Sequence, residues 1–346
     1  MKKGMALGLL VMAVGTFVFG QFTTQRNYPI SLVGLFIIGG GLSLLQAASN
    51  PYVSIIGPIE SAARRISFMG ICNKVAGILA PIVLGALVLK DVGGLEEKVK
   101  ATTDPQEKDA LLNAFASTIY VPYMIMAALL VVLAFWISRS ALPEIKASDV
   151  NKTPEGVNTN KTSIFQFPYL LLGALCIFLY VGAEVMAGDA IGTYGKGFDI
   201  PSDQTKYFTS FTLGAMLVGY IIGLATIPKI ISQSTALKFS AIAGIVFTVA
   251  AALTSGYVSV VFVALLGLAN ALMWPSIWPL AIGGLGKFTE KGSAMLIMGI
   301  AGGAVIPKVY ASLKDTYDFQ WTFFFLMLPC YLYILFFAQK GHKIGK

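Results

Sequence analysis

Gln46 and Asn50 stand four residues apart inside an otherwise apolar run, LLQAASNPYVSIIGPIESAARR (44–65). That spacing puts both amides on one face of a helix. An amide offers two donors and an acceptor, the set a hydroxyl-rich ligand needs. Asn270 and Trp274 repeat the spacing in LANALMWPSIW (268–278). An indole presents an apolar face suited to a sugar ring and supplies one N–H, and Trp278, one turn on, extends that surface. The plainer reading makes the amides interhelical glue and the tryptophans packing or interface anchors. Residue types and spacing leave both readings open.

Three charged residues compete for a second role. Asn73 and Lys74 lie mid-segment in GICNKVAGILAP. A lysine near the bilayer centre costs about 2.5–3.5 kcal/mol or more, so Lys74 must face a cavity, pair with an acid or snorkel. Asn73 is a candidate ligand contact, and Lys74 a candidate counter-ion or gate. Glu184 and Asp189 lie in YVGAEVMAGDAIGTYG. Proton coupling needs an acid that can protonate near neutral pH, and burial of a carboxyl acts in that direction. A spacing of five places the two acids on different faces. Glu184 is the deeper and the better proton carrier; Asp189 reads equally as a helix-end group. Gly182, Gly188 and Gly192 around them predict a bent or broken helix, the kind that lines transporter sites. Lys308 reads as interfacial, and Arg64–Arg65 as topology and helix-end charge.

The elements that must hold these groups are membrane helices. Of 346 residues, 56% are hydrophobic and 12% charged, and the mean hydropathy is +0.75. A soluble domain of this size carries roughly 25% charged residues, so this chain cannot cover itself in water. Ten segments reach the length of about 20 apolar residues that a spanning helix needs: 4–22, 29–57, 66–89, 117–138, 166–190, 207–227, 236–254, 257–283, 292–310 and 319–338. The net charge of +8 is a topology signal, not a sign of a nucleic-acid partner. With the N-terminus inside and alternating sides, fifteen Lys/Arg fall in inside segments and nine in outside ones. This positive-inside asymmetry places both ends of the chain in the cytoplasm. Cys72, Cys176 and Cys330 lie in apolar segments without CxxC spacing and read as small buried side chains. The single His342 is in the tail, which argues against a histidine metal site or a Ser-His triad. Lys2-Lys3 and the apolar run after them have no small-residue cleavage site and read as a span.

Two polar loops divide the chain. Residues 90–116 form an outside loop with a short helix, and residues 139–165 an inside one. The division is therefore an N-terminal helix bundle over 1–140, a cytoplasmic linker over 141–165 and a C-terminal six-helix bundle over 166–346. Matching Pro51 with Pro275 pairs Gln46 with Asn270 and Asn50 with Trp274. One segment on, GILAP (77–81) matches GAVIP (303–307) at nearly the same offset. The first copy falls on spans two and three of its half and the second on spans four and five. The first half is thus expected to lack two helices of a parallel six-helix repeat.

At these residues the chain resembles a known family. LLQAASNPYVSIIGPIESAARR followed by ISFMGICNKVAG is similar to the fourth and fifth helices of the fucose:proton symporter family of the major facilitator superfamily. YVGAEV resembles that family's seventh helix. Within the family the chain looks closer to the glucose/galactose transporter branch than to the fucose permeases, and the resemblance covers the chain as helices three to twelve. It implies an all-α polytopic membrane protein of twelve-helix design, a bacterial inner-membrane location, and sugar uptake coupled to a cation. It also implies sugar contacts from helices four and five, which by residue are Gln46, Asn50 and Asn73. The fucose permeases carry a glutamate where Gln46 stands. Gln46 cannot take up or release a proton, so coupling through Glu184, through a helix outside this chain, or by Na⁺ stays open.

The expectation is a secondary transporter that imports a monosaccharide, glucose, galactose or a related hexose, by alternating access. It needs no cofactor beyond a coupling ion, H⁺ or Na⁺, and works as a monomer in the lipid bilayer. The alternatives are an incomplete, transport-inactive carrier and a membrane-embedded enzyme. The second lacks an HExxH motif, a histidine-paired nucleophile and a carboxylate pair at catalytic spacing.

Overall fold

A computed structural model describes residues 1–88, 98, 99, 101, 102, 104–145 and 161–345. Among these residues the chain is helical, with no strand. The main helices are Lys2–Thr24 (α1), Tyr28–Ile55 (α2), Ala62–Val88 (α3), Pro105–Arg139 (α4), Pro168–Gly188 (α5), Ile191–Lys196 (α6), Phe208–Thr226 (α7), Gln233–Leu253 (α8), Gly256–Ala271 (α9), Met273–Ile282 (α10), Thr289–Met298 (α11), Gly302–Leu313 (α12) and Phe319–Gln339 (α13). With α9–α10 and α11–α12 each counted as one span, nine among the described residues are long and apolar enough to cross a membrane. The expected span 66–89 falls on α3, and residue 89 lies outside the described residues, as do 90–97 of the first polar loop and 146–160 of the second.

Local chemistry sets the helix ends. Asp104 accepts from the Gln106 backbone N–H at 2.9 Å, with Pro105 as the first helical residue of α4. Ser232 caps α8 through Thr235, and Asp318 caps α13 through Gln320 and Trp321. Each cap satisfies donors that the first turn leaves open. Two expectations change, those for 90–116 and for Cys72. The described part of 90–116 from Pro105 onward belongs to α4, which is 35 residues and about 52 Å long, beyond what the hydrocarbon requires. Helix α2 runs unbroken through Pro51, so the patch around Asn50 is polar without being a break. Cys72 is exposed, whereas Cys176 and Cys330 are buried.

By contact the chain sorts into two groups, residues 1–49 with 76–145 and residues 50–75 with 146–346. In the first group, α1 and α2 cross with backbones nearly touching. A Cβ on Gly8 would lie 2.7 Å from the Leu45 nitrogen, and one on Gly15 would lie 2.6 Å from the Ile38 nitrogen; Gly34 and Gly41 repeat the approach from α2. Small residues at such a seam let helices pack where lipid offers no hydrophobic drive. Arg26 pairs with Asp109 and fastens the α1–α2 turn to the start of α4.

In the second group, α5 is central, packing on α9, α10, α12 and α13, while α8 packs on α9 and α13. A Cβ on Gly302 would lie 1.8 Å from the Phe178 carbonyl oxygen, so α12 crosses α5 at backbone contact. Two spans are interrupted. α9 gives way to α10 at Leu272 (φ −91°, ψ 0°), three residues before Pro275, whose ring nitrogen has no N–H to donate back. α11 gives way to α12 through a tight turn at Gly299–Ala301. The turn between α2 and α3 is gripped by Arg65, which donates to the carbonyls of Val53 (2.8 Å), Ser54 (2.6 Å), Gly57 (3.2 Å) and Pro58 (3.0 Å) and to the Ser61 hydroxyl (2.7 Å). A guanidinium at carbonyls freed by a helix C-terminus is favourable for charge and geometry.

Candidate functional site

Asn50 is the last polar residue of the α2 patch and is 2% exposed. Its Oδ1 accepts from the Trp274 indole Nε1 at 3.4 Å. These are the two positions that the internal repeat makes equivalent, and they meet face to face. Trp274 stacks on Trp278 with ring centroids 5.4 Å apart and planes 27° apart, and its other neighbour is Tyr180 at 6.3 Å. The indole pair sits on α10, immediately after the Leu272 interruption. That interruption separates Asn270, on α9, from Trp274. Asn270 is fully buried; its Oδ1 accepts from the Tyr331 hydroxyl at 3.0 Å, and its Nδ2 has no hydrogen-bond partner among the described residues. Trp278 is fully enclosed and its Nε1 also lacks a partner among the described residues. Trp278 therefore backs Trp274, and Trp274, which is half-buried, is the ring that can face a ligand. Buried donors of this sort are satisfied by a ligand or by water.

Lys74 reaches across to α5. Its Nζ lies 2.8 Å from Glu184 Oε1, with side-chain exposures of 16% and 21%. Of the three fates open to a lysine in a span, pairing is the one realised. Each charge removes the cost of leaving the other bare in a medium of low dielectric. The buried hydroxyls of Tyr180, Tyr220 and Tyr331 lie within electrostatic reach of Glu184. Asp189 is exposed at the end of α5, its backbone N–H bonded to Val185, and it feels the charges of both Glu184 and Lys74. The expected irregularity in this span sits at Asp189–Ala190, after Gly188 and before α6, a full turn beyond Glu184.

Two further sequence candidates lie on neighbouring turns of α2 and α3. Asn73 is exposed on α3, next to Lys74 but turned by one residue. Gln46 is half-buried on α2, one turn before Asn50. Among the described residues no group of His, Cys, Asp and Glu is arranged to hold a metal.

Sequence reasoning missed four contributors. Tyr180 lies four residues before Glu184, a spacing that was readable. Tyr331 and Tyr220 come from spans with no polar pattern around them. Gln233 bridges the turn before α3 to α8, accepting from the Ala63 N–H at 3.0 Å and donating to the Ile59 carbonyl at 2.8 Å; its helix-start position gave no hint of that.

A family model described as Major Facilitator Superfamily matches residues 2–307. The chain belongs to the Major Facilitator Superfamily. Among members of the superfamily it is 32% identical to a glucose/galactose transporter of Brucella abortus, over 99% of this chain and 79% of that protein. It is 26% identical to the L-fucose-proton symporter of Escherichia coli, over 98% of this chain and 78% of that one. Its fold matches the crystal structure of a superfamily transporter, FucP, in the outward conformation, with a TM-score of 0.84 at 24% identity, over 99% of this chain and 84% of that chain. The protein is thus a multi-pass, all-helical membrane protein of the superfamily. The nearly equal offsets of the Pro51/Pro275 and Pro81/Pro307 matches, 224 and 226 residues, are the kind of pattern that parallel repeats produce.

Proposed function

We propose that the protein imports a monosaccharide, a hexose such as glucose or galactose, by cation-coupled alternating access across a bacterial inner membrane. The observation that carries the reading is the Asn50–Trp274 contact on the stacked indole pair, placed on a span interrupted at Leu272. A ring with one apolar and one polar edge finds an indole face for the first and an amide for the second. The names of the relatives, glucose/galactose transporter and L-fucose-proton symporter, support the same substrate class. They support transport over an enzymatic role as well.

In this reading Gln46, Asn50, Asn73, Asn270 and Trp274 take part in sugar binding, with Trp278 as the backing of Trp274. The coupling centre is the Lys74–Glu184 pair. A proton that binds the Glu184 carboxylate turns it into a neutral acid and releases Lys74; loss of the proton restores the pair. The change of partner between α3 and α5 is the link between ion and conformation, and Asp189 lies near enough to modulate it. Proton coupling is favoured over Na⁺ because the carboxylate already holds a cationic partner. The reading keeps both termini of this chain in the cytoplasm and the division at 140 and 165; the charge asymmetry supports the first and the two polar loops the second.

The test is radiolabelled hexose uptake into proteoliposomes under an imposed proton or Na⁺ gradient. Saturable accumulation driven by the proton gradient supports the proposal. Absence of saturable hexose movement under either gradient overturns it.

A further inference from the structure

A groove of about 730 Å³ runs between α5 and α11, away from the indole site. Its walls are apolar along most of their length, with Phe165, Leu171, Leu175 and Phe178 on one side and Met298 on the other, and among the described residues Lys291 is the one charged residue that lines it. Lys291 is exposed in the first turn of α11, so the charge sits at one end of the groove. From Lys291 to Met298 the wall extends about 10 Å at the rise of an α-helix, enough for half or more of an acyl chain.

The charged end is not an isolated lysine. Phe167 and Phe288 pack with ring centroids 5.6 Å apart and planes tilted by 60°, beside the starts of α5 and α11. Lys161 Nζ lies 4.3 Å from the Phe167 ring centroid, and Lys287 Nζ lies 5.2 Å from that of Phe288. Lys161 also donates to the Gly345 carbonyl at 3.1 Å, while Glu290 is the neighbouring acid, exposed beside Lys291. Three ammonium groups against one carboxylate thus face the end of the protein that the charge pattern places in the cytoplasm. Basic groups at the cytoplasmic mouth of a crevice between membrane helices match a phosphate-bearing headgroup, and the apolar crevice matches its tail.

We infer that this groove is a binding site for an anionic phospholipid, with its phosphate on Lys291, Lys287 and Lys161 and one acyl chain between α5 and α11. The two halves of the site are complementary to the two halves of that molecule. A zwitterionic lipid fills the groove equally well but gains less from the lysines. A soluble phosphate ester meets the lysines but leaves the groove empty. The inference stands on membrane embedding and does not depend on which solute the protein carries.

Native mass spectrometry of the purified full chain tests it, with phosphatidylglycerol, phosphatidylcholine and glycerol phosphate as separate additions. One phosphatidylglycerol is expected to stay bound, in preference to phosphatidylcholine, with no retention of glycerol phosphate. Lys291→Gln should weaken retention about fivefold, the worth of one basic group near a charged headgroup. Ala294→Trp, at an exposed position in the groove wall, should abolish it by filling the crevice with all three lysines intact. Lys308→Gln, exposed on α12 and outside the groove, should change nothing. Equal retention of the two lipids, retention of glycerol phosphate alone, or unchanged retention in both Lys291→Gln and Ala294→Trp overturns the inference.

Discussion

Trp274 brings two separable properties to the site, a ring face and an N–H. Trp274→Phe keeps the ring and removes the donor to Asn50. A net hydrogen bond is worth about 0.5–1.5 kcal/mol, so hexose affinity should fall by about two- to tenfold in an equilibrium binding titration, with the fold intact. Trp274→Ala removes the face as well and should lose measurable binding. Lys74 and Glu184 behave as a unit. Removing one partner of a fully buried pair costs about 3–5 kcal/mol, and less here because both side chains keep some contact with solvent. Lys74→Gln should therefore lower thermal stability more than the double variant Lys74→Gln/Glu184→Gln does. Equal and additive losses in a double-mutant cycle would show that the two charges do not depend on each other. At this scale the sequence was partly readable. A lysine and a glutamate inside apolar runs announce a cost that something must offset. Their partnership spans 110 residues of chain, and no local pattern records it. The same holds for Asn270 and Tyr331.

Helices carry the next set of consequences. Gly302 is where α12 meets the α5 backbone, and no side chain fits there without separating the two. Gly302→Val should cost at least about 1–3 kcal/mol, the range for overpacking a tight interior, seen as a lower unfolding temperature and poorer yield. Gly77→Val, on α3 with nothing near its would-be Cβ, serves as the matched control. Spans were readable at this scale because about 20 apolar residues leave few alternatives. Proline was not a reliable marker of breaks. Pro275 accompanies a real interruption at Leu272, whereas α2 passes through Pro51 without one. Membrane helices tolerate proline where other groups re-satisfy the freed carbonyl, which local sequence does not record. The polar start of α4 was read as loop because its residues lack an apolar stripe; the Asp104 cap and Pro105 were the available signal of a helix beginning there.

For the whole molecule, the charge pattern predicts both ends of this chain on the cytoplasmic side. Fusing a periplasm-dependent phosphatase after residue 346 should yield an inactive reporter, and fusing it in the 90–97 region an active one. Reversed activities contradict the topology, and with it the lipid headgroup's side. The internal repeat reads Asn50 and Trp274 as equivalent positions in two copies. It did not foretell that they bond to each other, because equivalence under a symmetry axis is not contact.

The central claim is that the Asn50–Trp274 pair on its stacked indole is where a hexose binds. Its most direct test is equilibrium binding of radiolabelled glucose and galactose to purified wild-type protein, Asn50→Leu and Trp274→Ala, each shown to be folded by its unfolding temperature. The account predicts saturable binding of at least one hexose to the wild type and its loss in both variants. Saturable binding that survives both substitutions unchanged would place the sugar elsewhere and contradict the account.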